Sequence, residues 1–278
     1  MTVDEFIQAA IKEDIGDGDH TSLSTIPADA KGKARLLVKQ EGILAGVDIA
    51  LKVFEHVDPE LEIDVQITDG SEIKYGDEAF YVSGSSRSIV IAERLALNIM
   101  QRMSGIATHT GELVKLVEGT NAKILDTRKT TPNFRYFEKL AVKIGGGHNH
   151  RMGLYDRVMI KDNHIDFAGG IRSAINKVIA YLEQKNKDIP IEVEARNMEE
   201  IQEIMDVGGI HRILIDNFTP IQTKDAVHLI NGMFETESSG GITKENIRDY
   251  AETGVDFISI GALTHQIKSL DLSLKAMK

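Results

Sequence analysis

Six short apolar segments recur along the second half of the chain, and their spacing limits the folds available to it. Continuous apolar runs are typical of parallel strands buried on both faces, and helical or loop segments separate each run from the next. This alternation predicts right-handed βαβ units and a parallel sheet. Six strands suit an α/β barrel, although the spacing alone also allows a doubly wound open sheet. The runs are residues 123–126, 157–160, 191–195, 212–216, 233–237 and 256–260.

The part of the chain before these runs has a different pattern. Residues 33–40 and 61–67 have the composition of strands, and a helix is expected between them. Residues 69–85 are punctuated by glycine, which predicts short antiparallel strands and tight turns. We therefore predict a small α+β domain over residues 1–106, a barrel domain over residues 107–266 and a separate final segment, 267–278.

A long helix is predicted over residues 85–103, and it is apolar around most of its circumference. Arg94 lies in its middle with no acidic residue at the neighbouring helical positions. An unpaired buried charge is costly, so this arginine is expected to meet an anion elsewhere. A tertiary ion pair or a side chain that extends to water is the alternative. Ser104-Gly105 is expected to interrupt the helix and mark the domain junction.

Basic residues are concentrated between Arg128 and Lys161, although the formal net charge of the chain is −11. Two of the predicted strands end at Thr127-Arg128-Lys129 and at Lys161, and barrels place their chemistry at such strand ends. The segment His148–Arg151 favours anion binding over metal binding, because no third ligand has metal-site spacing. Arg151 offers a planar fork and His150 a further donor. This concentration of cations predicts an anionic ligand.

Carboxylates end two other predicted strands. Glu192 and Glu194 are two residues apart, so they lie on one face of a strand, and Asp216 ends the next. A carboxylate in such a place is costly unless it meets a cation. Mg²⁺ is one candidate, since it takes one or two protein carboxylates and completes its shell with water and phosphate. Structural pairing of Glu194 and Asp216 with Lys129 or Lys161 is the equal alternative.

Glycines follow the last two predicted strands. Gly240 and Gly241 precede a predicted helix at residues 244–252, so their amides could bind an anion with help from the helix dipole. Gly261 allows the same close approach in the next loop. Barrels commonly hold a phosphate between these two loops. The expected ligand therefore carries a terminal phosphate, a metal-bound polyphosphate and one or more carboxylates.

Bulk composition excludes several other classes. The acidic balance argues against nucleic-acid binding. No apolar run approaches the roughly 20 residues that span a bilayer, and no signal peptide is apparent. The absence of cysteine excludes disulfides and thiol catalysis and suits a reducing compartment, so we expect a cytoplasmic protein. No Ser-His-acid arrangement or Rossmann fingerprint is present.

Several motifs together resemble the quinolinate phosphoribosyltransferase family: LDTRKTTPNFR, KIGGGHNHRMGLYDRVMIKDNH, IEVEA, ILIDNF, ESSGGIT and ISIGALTH. The resemblance covers nearly the whole chain, from EDIGDGDHT to LDLSL. Its departures are small: Asn133 stands where glycine is usual, and Ser238 where a small apolar residue is common. It implies an N-terminal α/β sandwich, a partly open α/β barrel, a C-terminal segment packed on the first domain and a homodimer.

The same resemblance implies an activity: transfer of phosphoribose from phosphoribosyl pyrophosphate to quinolinate with decarboxylation, using Mg²⁺. Arg128, His150, Arg151 and Lys161 would hold the quinolinate carboxylates, and Lys129 would lie beside the pyrophosphate. Glu194 and Asp216 would engage Mg²⁺ and the ribose, and together with the two lysines they would form the catalytic set. Arg94 would reach the neighbouring subunit's site. The remaining substrate-binding positions implied are Thr127, Ser239, Gly240, Gly241 and Gly261.

Two other functions stay open at this stage. A Schiff-base aldolase could use Lys129 or Lys161 as its nucleophile on the same barrel, and borohydride would then trap a sugar-phosphate adduct. A non-catalytic accessory protein is the other, since a related branch of this fold is associated with molybdenum transport. Ligand binding without release of pyrophosphate would favour that class.

Overall fold

The computed structural model describes residues 1–277 and forms two compact units. The first unit contains residues 1–111, residues 130–146 and the segment from Leu263 to the end of the described residues. The second contains residues 112–129 and 147–262. No helix in the described part of the chain is both long enough and apolar enough to cross a membrane.

The helices and strands are numbered in chain order. Up to residue 116 they are α1 (Val3–Ile15), α2 (His20–Thr25), β1 (Lys31–Val38), β2 (Gly42–Ile43), α3 (Val47–Val57), β3 (Glu62–Val65), β4 (Glu72–Ile73), β5 (Glu78–Ser85) and α4 (Ser86–Leu116). The rest are β6 (Lys123–Leu125), α5 (Arg135–Ile144), β7 (Val158–Ile160), α6 (Asp162–Ala168), α7 (Ile171–Lys185), β8 (Ile191–Ala195), α8 (Met198–Val207), β9 (Arg212–Asp216), α9 (Pro220–Ile230), β10 (Glu235–Ser239), α10 (Ile247–Ala251), β11 (Phe257–Ser259), α11 (Ala262–His265) and β12 (Leu272–Met277).

The first unit is built on an antiparallel sheet with the strand order β12-β1-β5-β3. Every second residue toward the end of β1 is buried, which is the alternation of a strand with one face on a core. The apolar stripe of α3 contributes to the same core, where the rings of Phe54 and Phe80 meet edge to face at 5.9 Å. β12, near the C-terminus, pairs with β1 and completes this sheet.

The helix α4 does not end at Ser104-Gly105, so the predicted interruption is wrong. The helix continues to Leu116. Gly105 is needed for close packing, because a Cβ at this position would lie 2.4 Å from the carbonyl oxygen of Lys268. The Ser104 hydroxyl donates to the carbonyl of Ala45 and accepts from its amide. Both residues thus have tertiary roles that a local sequence pattern does not distinguish from a helix break.

The second unit is built on a six-stranded parallel sheet, which confirms the predicted fold class. The order is β6-β11-β10-β9-β8-β7, so the first two strands along the chain lie at opposite edges. An α/β barrel that stays partly open between β6 and β7 has this order. The fifth strand begins at Glu235, two residues later than the apolar run predicted.

The two faces of this sheet differ sharply in polarity. One face packs against α7, α8 and α9 through an aliphatic core that includes Val193, Ile213 and Ile215. Successive side chains of a strand point to opposite faces, so Glu192, Glu194 and Arg212 lie on the other one. The face away from the helices therefore carries charged side chains, most of them buried.

Candidate active site

The predicted site residues of the second unit lie at one edge of its sheet. Because all six strands are parallel, their carboxyl ends meet there, and we call this edge the carboxyl edge. Residue order and strand bounds place the following on it: Thr127, Arg128 and Lys129 after β6, Lys161 after β7, Glu194 in β8, Asp216 at the end of β9, Ser239 at the end of β10, Gly240 and Gly241 after it, and Gly261 after β11.

The segment His148–Arg151 joins this edge beside β6. The amide of His148 donates to the carbonyl of Ile124 at 2.8 Å, and the amide of Asp126 donates to the carbonyl of His148 at 3.1 Å. The Asp126 carboxylate is fully buried. It accepts the amide of His150 at 2.8 Å and the side-chain amide of Asn149. Asp126 thus links the strand end that carries Arg128 and Lys129 to the segment His148–Arg151.

Asp126 was not among the sequence-predicted site residues. Its sequence position carries the same signal as Glu194 and Asp216, because a carboxylate at the end of a buried apolar strand needs a partner. Two of its partners are a backbone amide and a neutral side chain, and a search for cations at strand ends does not find partners of this kind.

Two arginines at the carboxyl edge, Arg128 and Arg151, repel each other electrostatically. Burial lowers the pKa of Arg151, and the positive charge of Arg128 lowers it further. The Arg151 guanidinium donates to the carbonyl of Arg157 at 3.2 Å. Two positive charges that repel each other in this way are stabilised by an anion between them. Arg128 and the neighbouring Lys129 are exposed to solvent on the same strand end.

The two predicted carboxylates have different partners. Glu194 is nearly buried, and one of its oxygens lies 3.4 Å from the Lys161 Nζ. Asp216 accepts the hydroxyl of Ser239 at 2.5 Å and the side-chain amide of Asn217 at 2.6 Å. Structural pairing, one of the two alternatives, is therefore seen for Glu194 with Lys161. Both carboxylates remain at a carboxyl edge that also carries the phosphate-binding candidates.

A third ligand lies close to His150, contrary to the sequence argument against a metal there. In residues 1–277 only His150, Glu192 and Glu237 form a group of three potential ligands, with their atoms within 4.8 Å of one another. Spacing could not show this, since the residues come from three distant segments. A cation lies near each carboxylate: the Arg212 Nη1 donates to Glu237 at 2.7 Å, and the Arg157 Nη1 lies 3.6 Å from Glu192, beyond hydrogen-bond distance. These five residues form a buried ionic cluster.

The glycines after β10 differ from the predicted arrangement in one respect. Gly240 and Gly241 have φ values of 90° and 63°, a left-handed conformation that glycine adopts without strain. No helix begins directly after them, because the Thr243 amide donates to the Asn246 side chain in a turn and α10 begins only at Ile247. The prediction that a helix dipole assists anion binding here is therefore wrong. Only the backbone amides of the two glycines remain as candidate donors.

Arg94 belongs to the first unit. It lies on α4 and is exposed to solvent in the single chain. Its role in a neighbouring subunit stays a prediction.

Comparison with known proteins decides the family. The sequence profile of the quinolinate phosphoribosyl transferase C-terminal domain matches residues 106–275, and that of the N-terminal domain matches residues 19–104. The chain belongs to the quinolinate phosphoribosyltransferase family. The predicted resemblance is thereby confirmed over nearly the whole chain.

Individual members of the quinolinate phosphoribosyltransferase family are similar to this chain along most of their length. The chloroplastic nicotinate-nucleotide pyrophosphorylase (carboxylating) of Arabidopsis thaliana is 49% identical, over 97% of this chain and 81% of the relative. The probable enzyme of the same name from Bacillus subtilis is 41% identical, over 94% of this chain and 89% of the relative. The chain is accordingly an enzyme of the phosphoribosyltransferase type.

Solved structures of this family have the same fold. The nicotinate-nucleotide pyrophosphorylase of Francisella tularensis superposes with a TM-score of 0.91 at 39% identity, covering 99% of this chain and 96% of the other. NadC from Streptococcus pyogenes superposes with a TM-score of 0.93 at 36% identity, covering 99% and 97%.

Proposed function

We propose that this protein transfers phosphoribose from phosphoribosyl pyrophosphate to the ring nitrogen of quinolinate and releases carbon dioxide, giving nicotinate mononucleotide and pyrophosphate. Family membership along both domains supports the reaction. The observation that carries the assignment of roles is the gathering of cations, carboxylates and glycines at one carboxyl edge.

The cations divide between the two substrates. Arg128, Arg151 and Lys161 bind the quinolinate carboxylates, and Thr127 helps to shape this pocket. The proximity of Arg128 to Arg151 supports this role, because their mutual repulsion favours a dianionic ligand. Lys129 lies beside the leaving pyrophosphate. The role predicted for His150, binding a quinolinate carboxylate, stays a prediction.

The carboxylates and glycines hold the phosphoribosyl part. Glu194 and Asp216 face the ribose, and Ser239, Gly240, Gly241 and Gly261 bind the 5′-phosphate through hydroxyl and amide hydrogens. The donor set fits Mg²⁺, which takes one or two carboxylates together with phosphate oxygens. When bound, Mg²⁺ would neutralise charge on the pyrophosphate.

The reaction makes few demands on acid–base chemistry. As the pyrophosphate leaves, positive charge develops on the ribose, and the carboxylates of Glu194 and Asp216 stabilise it. Holding the ring nitrogen against the ribose carbon supplies much of the remaining rate enhancement. Once the ring nitrogen is quaternised, the bond to the adjacent carboxylate breaks and carbon dioxide leaves. The cationic ring stabilises the electron pair left on the ring carbon, which then takes a proton from water to give nicotinate mononucleotide.

Assembly and location complete the proposal. We infer a homodimer in which Arg94 reaches the neighbouring subunit's site, and the exposure of this arginine in the single chain supports that role. Sedimentation velocity tests the assembly. A cytoplasmic location is part of the proposal, and the lack of cysteine suits that compartment. A fluorescent fusion tests it.

One assay tests the reaction itself. The purified protein is incubated with quinolinate, phosphoribosyl pyrophosphate and Mg²⁺, and nicotinate mononucleotide and carbon dioxide are measured together. We expect both products in equal amounts, and we expect a chelator to stop their formation. Turnover without release of carbon dioxide would contradict the proposal. The absence of any product that depends on phosphoribosyl pyrophosphate would contradict it as well.

Arg151→Ala is expected to lower kcat/KM for quinolinate by roughly 10- to 100-fold, because a charge-assisted hydrogen bond contributes about 1.5–3 kcal/mol. The preference for quinolinate over nicotinate, which lacks one carboxylate, should fall as well. Initial rates with each substrate measure both effects. Arg172→Ala, an exposed arginine on α7, is the control of equal charge change. An unchanged preference and an unchanged kcat/KM would refute the role of Arg151.

A further inference from the structure

Asn217 has a backbone conformation that few residue types adopt. Its φ is 58°, in the left-handed region where asparagine is enriched among residues other than glycine. Successive side chains of a strand point to opposite faces, so a strand that continued past Asp216 would direct the two side chains apart. The left-handed turn at Asn217 instead ends β9 and lets its side chain reach back to Asp216.

The side-chain amide of Asn217 holds one oxygen of the Asp216 carboxylate. Its Nδ2 donates to the Oδ2 at 2.6 Å, and the hydroxyl of Ser239 donates to the Oδ1. Each carboxylate oxygen has two lone pairs, so each keeps one for a ligand. The two donors therefore fix the orientation of the carboxylate and leave it able to accept a hydroxyl group of a ligand.

The same amide lies against the glycine that follows β10. A Cβ at Gly240 would be 2.1 Å from the Asn217 Oδ1 and 2.7 Å from its Cγ, so the side chain occupies the space that glycine leaves. The backbone amide of Asn217 donates to the carbonyl of Ser239 at 2.9 Å. The carbonyl of the next residue, Phe218, accepts the buried hydroxyl of Tyr250 at 2.8 Å. The Asn217 side chain is thus a spacer between a carboxylate on β9 and the loop after β10.

We propose that Asn217 is a positioning residue for phosphoribosyl pyrophosphate: its side chain sets the place of the Asp216 carboxylate relative to the loop of residues 239–241. This inference rests on the proposed function, in which Asp216 faces the ribose and the loop binds the 5′-phosphate. Both groups belong to one substrate molecule, so covalent bonds fix their separation. The distance between carboxylate and loop must match that separation, and a misplacement of about 1 Å can cost about 100-fold in rate.

Two substitutions separate the amide of Asn217 from the turn in which it lies. Asn217→Gly keeps the left-handed backbone and removes the amide. We expect kcat/KM for phosphoribosyl pyrophosphate to fall roughly 10- to 100-fold, with KM for quinolinate within about 3-fold of the wild type. Asn217→Asp keeps the size and the tolerance of the turn but replaces the donor by a second carboxylate, so repulsion from Asp216 should give a loss at least as large.

Wild-type kcat/KM in either variant would overturn the proposal, because a residue needed only for the turn is replaced by glycine or aspartate without loss. Asn231 is the matched control: it is exposed, has a φ of 45° and ends α9, before β10 and so away from the carboxyl edge. Asn231→Gly and Asn231→Asp should keep kcat/KM within about 2-fold of the wild type. Equal losses at the two positions would also overturn the proposal. Melting temperatures show which variants fold, and Asn217→Asp carries the test if Asn217→Gly does not.

A double-mutant cycle completes the test. In the Asp216→Ala protein there is no carboxylate left to position, so Asn217→Gly should lower kcat/KM by no more than about 3-fold further. Two effects that multiply in full would overturn the positioning role, since Asn217 would then act on the substrate directly. Wild-type turnover tests the reaction itself, and the ratio of variant to wild type tests Asn217. Calorimetric binding of phosphoribosyl pyrophosphate gives the same ratio without turnover, so a failed reaction and a failed positioning role give different results.

Discussion

Replacing Glu138 by alanine is expected to lower the free energy of unfolding by about 3–5 kcal/mol, the usual cost of leaving one partner of a buried ion pair alone. Glu138 is completely buried on α5, within the first unit. One of its oxygens accepts the Nε of Arg102 at 2.8 Å and the hydroxyl of Thr131 at 2.8 Å. The other accepts the amide of Thr131 at 3.1 Å. Alanine would remove every one of these acceptors.

Urea denaturation followed by circular dichroism measures this loss. Glu138→Gln keeps the size and one acceptor oxygen, so its loss should be smaller than that of alanine. Lys143→Ala changes an exposed residue of the same helix and should stay within about 0.5 kcal/mol of the wild type. A loss below about 1 kcal/mol for Glu138→Ala would show that water replaces the carboxylate.

The strands of the second unit could be predicted because each is a continuous apolar run. Parallel strands covered on both faces need such runs, and the signal is local. Its boundaries were less certain: the fifth strand extends through Glu237 and Ser239, which are polar and face the interior or the carboxyl edge. A polar residue at a strand end looks like a loop in the sequence. In the structure its partners come from other strands.

Local sequence patterns are equally limited in predicting the site, because they do not show which segments meet in the fold. The positions of Arg128, Lys161 and Asp216 at strand ends could be predicted, because each ends or follows a recognisable strand. The partners of His150 could not, because Glu192 and Glu237 are brought to it by sheet order, and the sequence does not state that β8 and β10 flank β9. The predicted helix break at Gly105 was wrong for a related reason. Glycine is required there because a Cβ would meet the carbonyl oxygen of Lys268, which is far along the chain.

Gly240 gives the largest expected effect on catalysis. A Cβ at this position would lie 2.1 Å from the side-chain oxygen of Asn217 and 2.9 Å from its backbone nitrogen, too close for any real contact. Its φ of 90° would in addition strain an alanine by about 1–2 kcal/mol. Asn217 would have to move, and it donates to Asp216 at 2.6 Å. One methyl group therefore displaces both the phosphate-binding loop and a carboxylate of the site.

For Gly240→Ala we expect kcat/KM for phosphoribosyl pyrophosphate to fall by about 100-fold or more, because misplacement near the reacting groups costs that much. Steady-state kinetics in both substrates and the melting temperature measure it. Gly254→Ala is the matched control: its φ of 88° imposes similar strain, but its Cβ would meet only Val227 at an ordinary 3.6 Å. Gly254 precedes β11 and so lies at the opposite end of the sheet. If the two variants lose activity equally, backbone strain alone explains the result, and Gly240 has no part in holding the phosphate.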